Sequence, residues 1–268
     1  MFDNVCKFLA ESFSADFASW LLGEPVTLTE LSPSELSLEP IRADALILLQ
    51  SDQLVLHLEF QTLPKAEIPF RMIDYRLRVY RRFPHKRVSQ VVIYLKPSDS
   101  DLVYQTEFVL ENSFHRFEVI RLWEQPTEVF LKFPGLLPFA TLSQTEDKTQ
   151  TLEQVAQIIE AIQDTKIRSN VAASTAVLAG LVLNKDLIKK ILRSDIMRES
   201  VIYQDILQEG QAKGLEQGIE QGIEQKAQEI AIKMIHKGID IEVIVDVTGL
   251  TIEQVQQLQA KASNNQAE

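Results

Sequence analysis

The sequence of 268 residues has almost no cysteine: Cys6 stands alone, which excludes an intramolecular disulfide and any zinc site built from several thiolates. It also lacks a long hydrophobic run. The longest apolar stretch, Val171 to Leu183, already contains Ser174 and Thr175, whereas a membrane-spanning helix needs about 20 apolar residues. The N-terminal MFDNVCKFLAESF has neither the basic start nor the continuous apolar segment of a signal peptide. A soluble, cytoplasmic protein with no membrane partner is expected. Two further absences are regional. No proline follows Pro138, and of the twenty aromatic residues only Tyr203 follows Phe139. The chain therefore divides into a proline- and aromatic-rich first half and a helix-favouring second half.

Positive charge is scarce as well, with 27 Lys and Arg against 38 Asp and Glu and a formal charge of −11. That balance alone would exclude a polyanionic partner. Its distribution reopens the question. Residues 1–64 carry 2 basic and 10 acidic side chains, whereas residues 65–87 carry 8 basic and 2 acidic ones. A phosphate-binding surface requires local positive potential, not a high overall isoelectric point. The other reading of this block is a solvated helix face.

The apolar spacing predicts a helix over residues 2–21, ended by Gly23 and Pro25. Two strand-like runs follow, Ile41 to Leu49 and Leu54 to Thr62, joined by the short polar Gln50-Ser51-Asp52-Gln53 as an antiparallel hairpin. Residues 69–83 read as a helix with Met72, Tyr75, Val79 and Phe83 on one face and arginines over much of the rest. Val91 to Leu95 suits a strand buried on both faces. Strands are expected over 102–109 and 116–123, then an irregular PGLLPF, then helices over 151–163, 168–183 and 185–208. An α/β core with mixed strand pairing and an all-helical C-terminal region results.

Glycines at 210, 214, 218 and 222 form a ladder that costs about 1 kcal/mol each relative to alanine in a helix. It reads as a frayed polar linker or as a self-association stripe. The flanking Glu and Gln residues exclude a membrane dimer motif. Residues 227–268 read as helix-turn-helix-like, with Thr251 capping a last helix whose Ile252, Val255 and Leu258 share one side. That helix offers Gln254, Gln256, Gln257 and Gln259 and, as a cation, only Lys261, so docking or oligomerisation is favoured over DNA reading.

The hairpin carries the chemistry. Period-two alternation puts Leu54, Leu56, Leu58 and Phe60 on one face and Val55, His57, Glu59 and Gln61 on the other. Arg42 and Asp44 share a face with Leu46 and Leu48. If the polar ends meet across the hairpin, Asp44 and Glu59 converge, and close carboxylates repel unless a cation separates them. A hard divalent ion such as Mg²⁺ supplies that charge through oxygen ligands. The alternative is a half-exposed hairpin with a polar outer face. Both strands, however, look central in a sheet, where a polar residue requires a reason. No Ser-His-Asp order, phosphate-binding glycine loop or HExxH motif is present.

Asp44 in RADALIL, Glu59-Phe60-Gln61-Thr62 closing an apolar strand, and the basic PFRMIDYRLRVYRR resemble the PD-(D/E)XK nuclease superfamily. With FDNVCKFLAE, VVIYL and FEVIRLWEQP, the string resembles more narrowly the Rpn-type recombination-promoting nuclease family over about the first 140 residues. The resemblance implies a restriction-endonuclease-like core (helix, β-meander, helix, strand) acting as a Mg²⁺- or Mn²⁺-dependent DNA endonuclease linked to recombination or transposition. It assigns Asp44 and Glu59 to the metal and sets Gln61 where the superfamily has lysine. Ala43 stands where proline often precedes that aspartate. Gln carries no charge and cannot act as a base. Arg71, Arg78, Arg81 and Arg82 become candidates for DNA contact, and His57, Tyr75, Asp3 and Glu11 for accessory roles. The expected divisions are a nuclease-like domain over 1–145, a helical region over 146–208, the glycine ladder over 209–226 and the terminal unit over 227–268. A scaffold of weak or no activity, assembled as a homo-oligomer through its helical half, is the alternative; a DNA-binding regulator is the third reading.

Overall fold

The computed structural model describes residues 2–31 and 46–264. Arg42 and Asp44 therefore lie outside the described residues. The chain forms two units, Met1–Gln204 and Asp205–Glu268.

In the first unit, two helices stand where the apolar spacing predicts one. α1 (Phe2–Ser12) buries Val5, Cys6, Leu9 and Ala10, and α2 (Ser14–Leu22) buries Phe17 and Ala18. Between them Phe13 leaves the helical region, with φ −125° and ψ 40°. α2 ends at Gly23, whose φ of 77° a residue with a Cβ adopts only at a steric cost.

β1 (Thr29–Glu30), β2 (Leu46–Gln50) and β3 (Leu54–Gln61) make an antiparallel meander, with Glu30 opposite Leu49 and Leu46 opposite Glu59. The turn between β2 and β3 is the polar one that the sequence predicts, closed by Ser51 N–H donating to the Leu54 carbonyl at 2.9 Å. Parallel pairing requires a crossover, and α3 (Ile68–Arg82) supplies it between β3 and β4 (Arg87–Tyr94). β5 (Glu107–Leu110) and β6 (Ser113–Arg116) form a separate hairpin, and β7 (Glu118–Arg121) adds in parallel to β4. The main sheet runs β1-β2-β3-β4-β7.

The strand expected over 102–109 opens instead with a 3₁₀ turn at Asp101–Tyr104. The Ser100 hydroxyl accepts from Leu102 N–H and diverts the backbone from a ladder. The strand expected over 116–123 is divided between β6 and β7 and closes in a 3₁₀ turn at Leu122–Glu124. PGLLPF begins a 3₁₀ segment, Pro134–Leu142, whose residues from Gly135 onward are buried.

β3 is buried along all 8 residues. Phe60, on one face, stacks on Phe139 at 5.8 Å and meets the edge of Phe17 at 6.3 Å. Val55, on the other, clusters with Leu31, Leu48, Tyr75 and Val79 beneath α3. The polar positions of β3 share that covered face, so the half-exposed hairpin is excluded.

α4 (Thr127–Leu131), α5 (Lys148–Glu160), α6 (Thr165–Ala179), α7 (Lys185–Ile191), α8 (Ser194–Met197) and α9 (Val201–His236) follow. Asp147, Asp164 and Asn184 cap α5, α6 and α7 with their side chains. The single helix expected over 185–208 is broken, because Leu192 and Arg193 turn extended between α7 and α8.

In the second unit, α9 carries the glycine ladder and is followed by a turn at Gly238, with φ 72°. α10 (Ile241–Thr248) and α11 (Ile252–Asn264) complete a helix-turn-helix around Ala231, Ile244, Leu250 and Val255. Thr251 and Gln254 cap α11 reciprocally: Gln254 N–H donates to the threonine hydroxyl and Thr251 N–H to the glutamine carbonyl. Leu258 packs on that core, but Ile252 is 51% exposed and leaves the apolar side assigned to it. The architecture is mixed α/β with a central sheet and a helical C-terminal region. Among the described residues, no helix is long and apolar enough to cross a membrane.

Candidate functional site

Alternation along β3 aligns Val55, His57, Glu59 and Gln61, and parallel pairing with β4 sets Gln90 beside His57 and Val92 beside Glu59. On α3, Arg71 and Tyr75 lie one turn apart over this file. Their helix is anchored by Ile68, Met72, Tyr75 and Val79, which are all buried.

Glu59 is wholly buried and its two oxygens differ. Oε1 accepts from Gln61 Nε2 at 2.9 Å and pairs with Arg71 Nη2 at 2.8 Å. Oε2 has no hydrogen-bond partner and faces His57 Nε2, equally unpartnered, across 3.8 Å. An unmatched buried polar atom costs about 1–3 kcal/mol, and more when charged. Gln90 completes a polar chain, with its amide nitrogen on His57 Nδ1 (2.9 Å) and the Met72 carbonyl (2.7 Å), and its oxygen on His115 Nε2 (2.7 Å). The Tyr75 ring meets His57 edge-on at 5.2 Å. Burial raises the pKa of the Tyr75 hydroxyl against the opposing pull of Arg71. Burial also raises that of Tyr94, and the Glu59 charge adds to it. Burial and the nearby Arg76 charge lower that of His115.

Of the residues singled out from the sequence, Glu59, Gln61, His57, Tyr75 and Arg71 come together. Arg78 is engaged by Asp74 at 2.9 Å, while Arg81 and Arg82 are exposed near the end of α3. Glu11 pairs with Lys7 at 3.5 Å on α1. Among the described residues, no ion pair or hydrogen bond joins Asp3 or Glu11 to Glu59, so neither is part of the file. Asp44 lies outside the described residues.

Gln90 and His115 were not singled out. The available signal was a lone Gln opening the apolar Val91 to Leu95 run. Its pairing with a histidine on the β5–β6 hairpin depends on tertiary contact and has no sequence period.

Among the described residues, no three His, Cys, Asp or Glu side chains gather into a metal-holding group. The file does contain oxygen donors suited to a hard cation: the free Glu59 Oε2 and the Gln61 carbonyl, whose amide nitrogen is turned to Glu59.

The described architecture is that of a mixed α/β protein with a buried carboxylate file and a C-terminal helix-turn-helix. Residues 224–260 match the family model described as the Rpn/YhgA-like nuclease family, C-terminal HTH domain. The match supports membership of the Rpn-type family through this domain. No curated protein and no solved structure matches the chain.

Proposed function

We propose that the protein is a metal-dependent DNA endonuclease of the PD-(D/E)XK type, hydrolysing phosphodiester bonds in the cytoplasm in connection with recombination or transposition. Asp44, Glu59 and Gln61 are its working groups. The observation that carries the reading is Glu59: a carboxylate wholly buried in a central strand, with Oε2 lacking a hydrogen-bond partner. The order of helix, three-stranded meander, helix and parallel strand supports a restriction-endonuclease-like core. Sequence alternation gives Asp44 the parity of Leu46 and Leu48, whose Cα partners on β3 are Glu59 and His57. The matched C-terminal domain supports both a nuclease-related role and DNA as partner.

Bound Mg²⁺ or Mn²⁺ would polarise a phosphoryl oxygen and lower the pKa of a water. Glu59 Oε2 and the Asp44 carboxylate would hold the ion. Gln61 keeps Glu59 aimed by donating to Oε1 and contributes no base. Arg71, with its side chain 23% exposed, is the cation at the site able to meet a phosphate. Arg81 and Arg82 extend the basic face toward the DNA backbone.

A second reading is favoured by the pairing of Arg71 with Glu59. That contact neutralises the carboxylate from within the chain, as a scaffold of weak or no activity would require. Leu215, Ile219 and Ile223, exposed beside the glycine ladder, support its assembly as a homo-oligomer through α9.

Plasmid cleavage by the purified full chain in Mg²⁺ or Mn²⁺, beside Asp44→Ala and Glu59→Gln, decides between them. The first reading expects nicking by the wild type and loss in both variants. Equal inertness of all three removes it and leaves the scaffold; equal activity of all three removes it by showing that cleavage does not pass through Asp44 and Glu59.

A further inference from the structure

Gln90 determines what His57 can do. The Met72 carbonyl can only accept, so the atom facing it at 2.7 Å is the amide nitrogen of Gln90. The amide oxygen then faces His115 Nε2 at 2.7 Å, and His115 donates. The second amide hydrogen is directed at His57 Nδ1, 2.9 Å away, which must hold a lone pair. A neutral imidazole with a bare Nδ1 carries its proton on Nε2. That is the buried, unpartnered atom facing Glu59 Oε2.

We propose that Gln90 is a positioning residue that locks His57 as the Nε2–H tautomer, making it a donor beside Glu59 and closing it as a nitrogen ligand. The consequence for ligand choice rests on the metal-site reading above; the tautomer stands on hydrogen bonds alone. Metal-ligating histidines present one lone pair and donate the other N–H to a carboxylate, carbonyl or water. Here that polarity is inverted, because Nδ1 meets an amide donor. The cation is left with oxygen ligands, a set suited to Mg²⁺ or Mn²⁺, whereas an imidazole nitrogen would favour Co²⁺, Ni²⁺ or Zn²⁺.

The test is long-range ¹⁵N–¹H NMR of the full chain in metal-free buffer, with the His57 signals assigned by their loss in His57→Gln. The wild type should show a bare Nδ1 and a protonated Nε2. Gln90→Glu, which accepts where Gln90 donates, should reverse the two. A Co²⁺ titration followed by absorption should then show about tenfold or greater tightening in Gln90→Glu, with nitrogen ligation in the spectrum. A wild type protonated at Nδ1, or an unchanged tautomer in Gln90→Glu, overturns the proposal. Unchanged Co²⁺ binding after a reversed tautomer overturns its ligand-choice half. If the added carboxylate prevents folding, Gln90→Met removes the donor without adding charge, and His57 should lose its single tautomer; retention of pure Nε2–H sinks the idea. Failed plasmid cleavage by the wild type would remove the nuclease reading and leave the NMR result standing.

Discussion

The two units use the same residue types to opposite ends. In the first, Gly135 lies where a Cβ would overlap the Phe13 side chain and the Asp16 carboxylate, and its N–H donates to Asp16 at 2.9 Å. In the second, Gly210, Gly214, Gly218 and Gly222 would each meet nothing within 4 Å. The first unit has exposed ion pairs such as Arg193–Asp195, and also a buried one. Glu59 is fully buried under Arg71, whereas Lys226 and Glu229 pair in the open, at 66% and 59% side-chain exposure. Packing in the first unit specifies its residues one by one. In the second it leaves most of α9 unconstrained, so a second molecule or solvent must account for the ladder.

The largest effect expected from this contrast is at Arg71. Arg71→Met strands the Glu59 charge beneath α3 and should lower stability by about 3 kcal/mol, since breaking a buried pair from one side costs about 3–5 kcal/mol and Arg71 is partly exposed. Adding Glu59→Gln should restore most of it in a double-mutant cycle by urea unfolding. Lys226→Met, breaking the exposed pair, should leave the midpoint unchanged. An Arg71→Met protein as stable as the wild type would mean that Glu59 is not held by this contact.

Next come the glycines. Gly135→Ala should destabilise by about 1–3 kcal/mol through overpacking against Phe13. Gly214→Ala, Gly218→Ala and Gly222→Ala should each stabilise α9 by about 1 kcal/mol, as an exposed helical site does on gaining a Cβ. Thermal unfolding followed at the helical band would show the two signs. A loss at the ladder positions would reveal that the glycines face a close neighbour, as self-association through α9 requires.

Much of this was legible in the sequence because it follows from local periods. The alternation over Leu54–Gln61 identified the polar face of β3, and the Gln50–Gln53 turn fixed the hairpin that sets its register. The i, i+3, i+7 pattern over Met72, Tyr75 and Val79 identified the helix that covers it. Residues dependent on tertiary contact were not legible. Gln90 and His115 are 25 residues apart and meet only because the β5–β6 hairpin is brought beside β4. The kink at Phe13 and the extended Leu192–Arg193 break likewise have no proline or glycine to announce them.

The smallest expected effect reverses in sign between the units. Asp16 in the first has its pKa raised by burial, partly offset by the Gly135 N–H. Glu253 in the second has its pKa lowered by its own backbone N–H and by Thr251 at the start of α11. A raised carboxyl binds its proton more tightly in the folded state. Its contribution is therefore complete below the ordinary value of 3.8 and is lost as pH rises through the folded value. The lowered Glu253 contributes above its ordinary value of 4.5 and loses that contribution as pH falls through the folded one. Carboxyl ¹³C titration should place Asp16 above, and Glu253 below, their free values. Asp16→Asn should abolish the gain from its protonation, and Glu253→Gln should flatten the acid loss of the helix-turn-helix. If both carboxyls titrate on the same side of their free values, burial does not separate the units electrostatically, and the contrast reduces to packing.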